Sequence, residues 1–165
     1  MSAKTFEFFI NGVAMQAEDG QTVIQAARAN GVEIPHFCWH PALTVAGNCR
    51  MCLVEIEKNP KLQIACATPV TEGMVVKTLS DAATKGREDV MEFLLINHPL
   101  DCPICDEAGQ CKLQDYAFEH SRGESRFIEE KTHKDKRVPF GPNVLFDGER
   151  CISCSRCIRF SEEVA

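Results

Sequence analysis

Three C-x2-C pairs constrain this chain more than any other feature: Cys49/Cys52, Cys102/Cys105 and Cys151/Cys154, the last extended by Cys157. Ten of its 165 residues are cysteine, and they fall in clumps. Disulfides explain the clumps poorly, because a disulfide scaffold normally follows a secretory leader. The opening MSAKTFEFFI has one lysine and no continuous apolar run, and it alternates like a strand. Reduced thiols available as ligands are therefore expected, in a cytosolic or matrix-facing protein. No stretch approaches the ~20 apolar residues of a membrane span, since even VMEFLLI is interrupted by Glu92. A net charge of −6 argues against non-specific nucleic-acid binding. Paired carboxylates, a nucleophile–base pair and a phosphate-binding glycine loop are all missing at readable spacing, so no catalytic residue is assigned.

The periodicities predict an α+β chain. Phe6, Phe8 and Ile10 alternate into Asn11-Gly12, a hairpin turn signal, and Val13, Met15 and Ala17 continue on a second strand. Thr22 is a candidate N-cap for a helix over TVIQAARANG, with Asn30-Gly31 as its stop. CLVEIE, LQIACA and MVVKT read as further strands of a small sheet ending near residue 78. A second helix is predicted from Asp81 to Asn97, burying Val90, Phe93, Leu94 and Asn97, and Pro99 forces His98 out of helical geometry. LQDYAFEH reads as a third helix, with Leu113, Tyr116 and Ala117 on one side. SRGESRFIEEKTHKDKR is highly charged with mixed sign and reads as a solvated linker, and the last segment runs into a helix.

Iron–sulfur clusters take four protein ligands, usually cysteine, with histidine as an occasional replacement. Cys38, Cys49, Cys52 and Cys66 form one foursome, a central C-x2-C flanked on both sides, as in [2Fe–2S] ferredoxins. Gly47 in AGNCRMC permits a positive φ that turns backbone N–H groups toward the sulfurs. His98, Cys102, Cys105 and Cys111 make a second foursome. Cys151, Cys154 and Cys157 open a [4Fe–4S] run that is one ligand short, because Ser161 stands where a fourth cysteine would continue it. Structural zinc is the alternative at each complete site, but it usually draws on two C-x2–4-C knuckles, whereas each site here has one. CWH, Cys38 to His40, is half of a Rieske-type pair whose second half is absent. His36 and His40 are read as walls of the first site, Trp39 as its shield from water, and His120 and His133 as solvent-facing.

With these groups placed, the chain resembles the amino-terminal iron–sulfur part of the 75-kDa component of the NADH:quinone oxidoreductases of respiratory complex I. IPHFCWHPAL with GNCRMCLVEI, NHPLDCPICDEAGQCKLQD, and DGERCISCSRCIRFSEE carry the likeness, which runs over essentially all of the sequence. The resemblance implies a β-grasp [2Fe–2S] ferredoxin-like domain (1–78) and a small helical [4Fe–4S] module with one histidine and three cysteine ligands (79–120). A charged linker (121–138) and the start of a ferredoxin-type [4Fe–4S] module (139–165) would follow. It implies a [2Fe–2S] cluster, a [4Fe–4S] cluster, and a second [4Fe–4S] cluster whose fourth ligand lies beyond residue 165, so a fragment is expected. It also implies single-electron transfer from a flavin/NADH-binding subunit toward quinone, among the other hydrophilic-arm subunits. The location implied is the inner face of a bacterial cell membrane, reached through partners and without direct insertion. NAD-linked formate dehydrogenases and hydrogenases share these modules and are the alternative within electron carriers. A zinc-stabilised interaction domain is the alternative of a different class.

Overall fold

The computed structural model describes residues 4–165; the first three residues of the MSAKTFEFFI reading lie outside it. The chain divides into two compact units, one running to Arg87 and including Ser155–Ala165, the other Glu88–Cys154.

The first unit begins with β1 (Thr5–Ile10) and β2 (Val13–Glu18), antiparallel with Phe8 opposite Met15. Asn11 and Gly12 turn between them with φ of 50° and 82°, the left-handed pair that a two-residue hairpin requires. Next comes α1 (Val23–Ala29), entered through Thr22, whose N–H donates to Gln25 Oε1 at 2.9 Å. Asn30 closes it, its side chain donating to the carbonyls of Gln16 and Ala26. Strands β3 (Leu53–Ile56), β4 (Gln63–Ile64) and β5 (Val75–Lys77) complete a mixed sheet of order β2-β1-β5-β3-β4, in which β1 and β5 run parallel. Phe8 and Ile10 from the sheet meet Val23, Ile24, Ala26 and Ala27 of α1 in one core. Large apolar side chains contribute about 1.5–3 kcal/mol each on full burial, so this core fixes the sheet against the helix. Cys52 and Cys66 belong to the same core.

Helix α2 (Asp81–Leu95) passes from the first unit into the second. Its buried residues are Ala83, Arg87 and Met91, spaced i, i+4, i+8. The expected face is corrected here: Phe93 is 77% exposed and Asn97 is exposed, while Val90 and Leu94 are half-buried. The second unit adds α3 (Lys112–His120), with Leu113 and Tyr116 buried, and an unforeseen hairpin of β6 (Val138–Phe140) and β7 (Val144–Phe146). Residues 121–137 are mostly exposed, and they are also pinned. Arg122 pairs with Glu88 and Asp89, and Arg126 with Glu92. The last element, α4 (Arg156–Glu163), returns to the first unit. Among the described residues, no helix is long and apolar enough to cross a membrane.

Candidate metal centres

Cys38, Cys49, Cys52 and Cys66 come together in the first unit. Cys38 and Cys52 are 1% exposed, Cys66 is fully buried and Cys49 is half-buried. Their sulfurs form a chain, Cys49–Cys38–Cys66–Cys52. The Cys49 and Cys66 thiols donate to Cys38, which with the amides of Cys49 and Asn48 holds the Cys38 thiol far below its usual range. Cys66 also donates to Cys52 and lowers it. The donors are pushed up correspondingly, Cys49 chiefly by Cys38 and Cys66 by Cys38 and then Cys52, with burial adding to both. The Cys38 N–H in turn reaches Cys49 Sγ at 3.4 Å. Four crowded, largely buried sulfurs served by backbone N–H groups are a donor set that fits a soft, thiolate-bound iron–sulfur centre.

Gly47 shapes the loop as expected. Its φ is +65°, and a Cβ there would stand 3.0 Å from Ile64 Cδ1. A left-handed backbone costs a non-glycine residue about 1–2 kcal/mol. Gly47→Ala is therefore expected to lose at least that much folding free energy, read from the denaturant midpoint, with faster loss of bound iron in air. Trp39 is 3% exposed and packs in the core with Cys52 and Cys66. His36 is half-buried, edge-on to Trp39 at 5.1 Å, with Nδ1 2.7 Å from the Ile34 carbonyl. His40 departs from its expected wall position: it is exposed, its Nδ1 accepting from the Ala42 N–H at 3.2 Å.

His98, Cys102, Cys105 and Cys111 lie in the second unit, each placed by local structure. Lys131 Nζ donates to the carbonyls of Leu95 and Ile96 at 2.8 and 2.9 Å, and Thr132 N–H to Asn97 Oδ1 at 2.9 Å. These bonds fix the exit of α2 immediately before His98. Burial pushes the His98 imidazole below its ordinary pKa, with Lys131 adding to the shift and Asp101 opposing it. The neutral form, the one a metal takes, is thereby favoured. Cys102 opens a short 3₁₀ turn over Cys102–Ile104, and Cys111 is the N-cap residue of α3. Asp101 is held by Lys136 and Arg150, and nearly buried Glu149 accepts from Lys136, His133 and the Lys134 N–H. Lys136 first, then His133, hold the Glu149 carboxyl down to about 2. His133 is thus solvent-exposed as expected but paired. His120 is corrected, its side chain only 20% exposed and packed beside Tyr116.

Cys151, Cys154 and Cys157 cross from the second unit into the first. Ser153 and Ser155, which alternate with the cysteines, take left-handed φ of 55° and 59°, and the Ser153 N–H reaches Cys151 Sγ at 3.4 Å. Among the described residues, no group of three or more histidine, cysteine or carboxylate side chains converges so that it could hold a metal ion, and neither the His98 set nor the Cys151 set is brought together.

Two groups escaped the sequence reading. From α4, Arg159 (7% exposed) donates to the carbonyls of Cys38 and Thr44, and Arg156 donates to the Trp39 carbonyl at 2.6 Å. Glu163 accepts from the Thr44 N–H and hydroxyl. The loop carrying Cys38 is thereby clamped by residues more than a hundred positions away. Arg87 is the other group, buried where an apolar residue would be sought.

Comparison with known proteins bears on all three cysteine runs. Residues 3–81 match a 2Fe-2S iron-sulfur cluster binding domain. Residues 87–126 match the NADH-ubiquinone oxidoreductase-G iron-sulfur binding region, and residues 141–165 match the ferredoxin-like domain of NADH-quinone oxidoreductase subunit 3. The chain therefore carries a 2Fe–2S ferredoxin-like domain followed by 4Fe–4S modules. It is 54% identical over 157 residues to the NADH-quinone oxidoreductase G subunit of Rickettsia felis, matching 94% of this chain and 23% of that protein. The corresponding G subunit of Rickettsia typhi is 52% identical over 160 residues, matching 96% of this chain and again 23% of the relative. The chain thus spans about a quarter of the length of these curated relatives. Among solved structures, the NAD+-reducing [NiFe]-hydrogenase in its H2-reduced state superposes with a TM-score of 0.83 at 34% identity, over 95% of this chain and 66% of that one. More than half of the residues are shared with these G subunits along nearly the entire chain, and the matched cluster-binding regions follow the order of the cysteine runs, so the chain belongs to the family of NADH-quinone oxidoreductase G subunits, as their N-terminal region.

Proposed function

We propose that this chain is a relay of single electrons within an NADH-quinone oxidoreductase, between a flavin/NADH-oxidising partner and quinone. The carrying observation is the buried chain of four cysteine sulfurs with its converging amides. In this reading Cys38, Cys49, Cys52 and Cys66 hold a [2Fe–2S] centre on a β-grasp domain, a reading supported by the β2-β1-β5-β3-β4 order with parallel β1 and β5. His98, Cys102, Cys105 and Cys111 hold a [4Fe–4S] centre. Cys151, Cys154 and Cys157 supply three ligands of another. Such centres supply reversible one-electron oxidation and reduction. The chain's own residues bind them through thiolates and one imidazole, direct amides at the sulfurs, and exclude water with Trp39, Met51 and Val54. Attachment to the inner face of the membrane would come through the partner subunits.

A second reading, the equivalent part of an NAD-linked hydrogenase, draws on the 0.83 TM-score to the hydrogenase structure. The first reading is preferred on likeness, 54% identity to a G subunit against 34% to the hydrogenase.

The test is iron, zinc and acid-labile sulfide per chain after anaerobic purification. About six irons with equal sulfide are expected from one two-iron and one four-iron centre, and about ten if the third site also fills. About two zincs without sulfide would instead make this a structural metal domain and end the electron-carrier reading.

A further inference from the structure

Arg87 is a buried cation without a buried anion to match it. It is 2% exposed. Its Nη2 donates to the carbonyls of Leu53, at 3.1 Å, and Thr78. Its Nε is buried with no hydrogen-bond partner. Among the described residues no carboxylate pairs with it; burial opposes its charge, and a negative charge on Cys52 would favour it. Gly86 makes this placement feasible: a Cβ there would lie 2.9 Å from Leu62 Cδ1 and 3.0 Å from Leu53 Cδ1. The glycine lets α2 approach β3 closely, so the guanidinium reaches the backbone just after Cys52.

Anchoring two carbonyls is not by itself a reason for a guanidinium here. A neutral amide donates as well, and burying an unpaired cation opposes folding. Four thiolates holding a ferric–sulfide centre leave net negative charge, and a one-electron reduction adds one more. A fixed cation nearby offsets the first and favours the second.

We infer that Arg87 is the buried counter-charge of the first cysteine site, a positioning residue that holds the Cys52–Leu53 backbone and makes one-electron reduction there easier. The inference rests on reading Cys38, Cys49, Cys52 and Cys66 as ligands of a two-iron centre. Arg159 differs, because it holds the carbonyl of Thr44, whose N–H donates to the carboxylate of Glu163 on the same helix. The electron comes from an external reductant, and the guanidinium keeps its protons throughout.

The experiment is a dithionite titration, with redox mediators, of the protein bearing this chain, purified anaerobically with its iron and sulfide. The two-iron electron paramagnetic resonance signal is followed in wild type, Arg87→Lys, Arg87→Gln and Arg87→Met. In both neutral variants the reduction equilibrium is expected to move at least about tenfold toward the oxidised form, a midpoint about 59 mV lower for one electron. Arg87→Lys is expected to stay closer to wild type than either. Loss of the signal in both neutral variants but not in Arg87→Lys is the same result in stronger form. An unchanged midpoint in a neutral variant with full iron content overturns the inference, and so does equal loss or equal shift in all three variants. A wild-type protein without the two-iron signal removes the ligand reading itself, and this inference with it.

Discussion

Cys66→Ser is expected to remove about two irons and two sulfides per chain while the four-iron complement stays. Cys66 is fully buried and its sulfur meets both Cys38 and Cys52, so it closes the chain of four. The backbone beside it is fixed on two sides: the Ala65 N–H donates to the Cys52 carbonyl at 2.9 Å, and the Ile24 N–H to the Ala65 carbonyl at 3.0 Å. A serine therefore fits the same place with the same backbone, and what changes is the ligand atom. Thiolate suits iron–sulfur centres where a hydroxyl does not. Because binding a centre that exists only in the folded state adds directly to folding free energy, the first unit should also melt earlier. Each 1 kcal/mol lost lowers the midpoint of a 60–100-residue domain by about 4–8 °C. Metal analysis and the two-iron spectroscopic signal check this together. Unchanged iron in Cys66→Ser would take Cys66 out of the ligand set and break the four-thiol reading.

What could be read from the sequence was local in origin. The Asn11-Gly12 turn, the Thr22 start of α1 and the stop before Pro99 depend on backbone rules that operate within a few residues, and each stands where the residues place it. The sulfurs of the first site could be grouped for a similar reason, since C-x2-C spacing puts two cysteines on one loop. The buried face of α2 could not be found that way. Val90, Phe93 and Leu94 satisfy a helical apolar pattern, yet the face that is buried runs through Arg87. A buried cation is invisible to a search for apolar residues. The β6–β7 hairpin was hidden by Pro139, which argues against a strand, and by the exposure of Phe140, Val144 and Leu145. The clamp from Arg159 to the Cys38 carbonyl joins residues 121 positions apart, a distance over which spacing carries no information.

His98→Cys is expected to lower the midpoint potential of the second site by about 100 mV or more, with iron and sulfide content retained. With His98 as a ligand of that site, as proposed, exchanging its neutral imidazole for a thiolate adds one negative charge next to the irons, which disfavours the further negative charge that reduction brings. Two histidines in Rieske centres lift the potential by roughly 250 mV or more over all-cysteine ferredoxins, and about half of that is assigned to one. The surroundings of His98 argue that the imidazole enters the site neutral. Burial is the first cause of its lowered pKa, Lys131 and Arg150 act in the same direction, and Asp101 and Asp147 oppose them. Those same cations would remain beside a thiolate at position 98 and partly offset its charge, so the shift is expected to be smaller than an isolated charge would give. The helix exit is tied by Lys131 and Thr132 to the backbone and side chain of residues 95–97, so a cysteine there starts from the same anchored backbone. Reductive titration of the four-iron signal in wild type and His98→Cys gives the answer. A centre that persists in the variant at an equal or higher potential would overturn the reading of His98 as a neutral ligand that raises the potential.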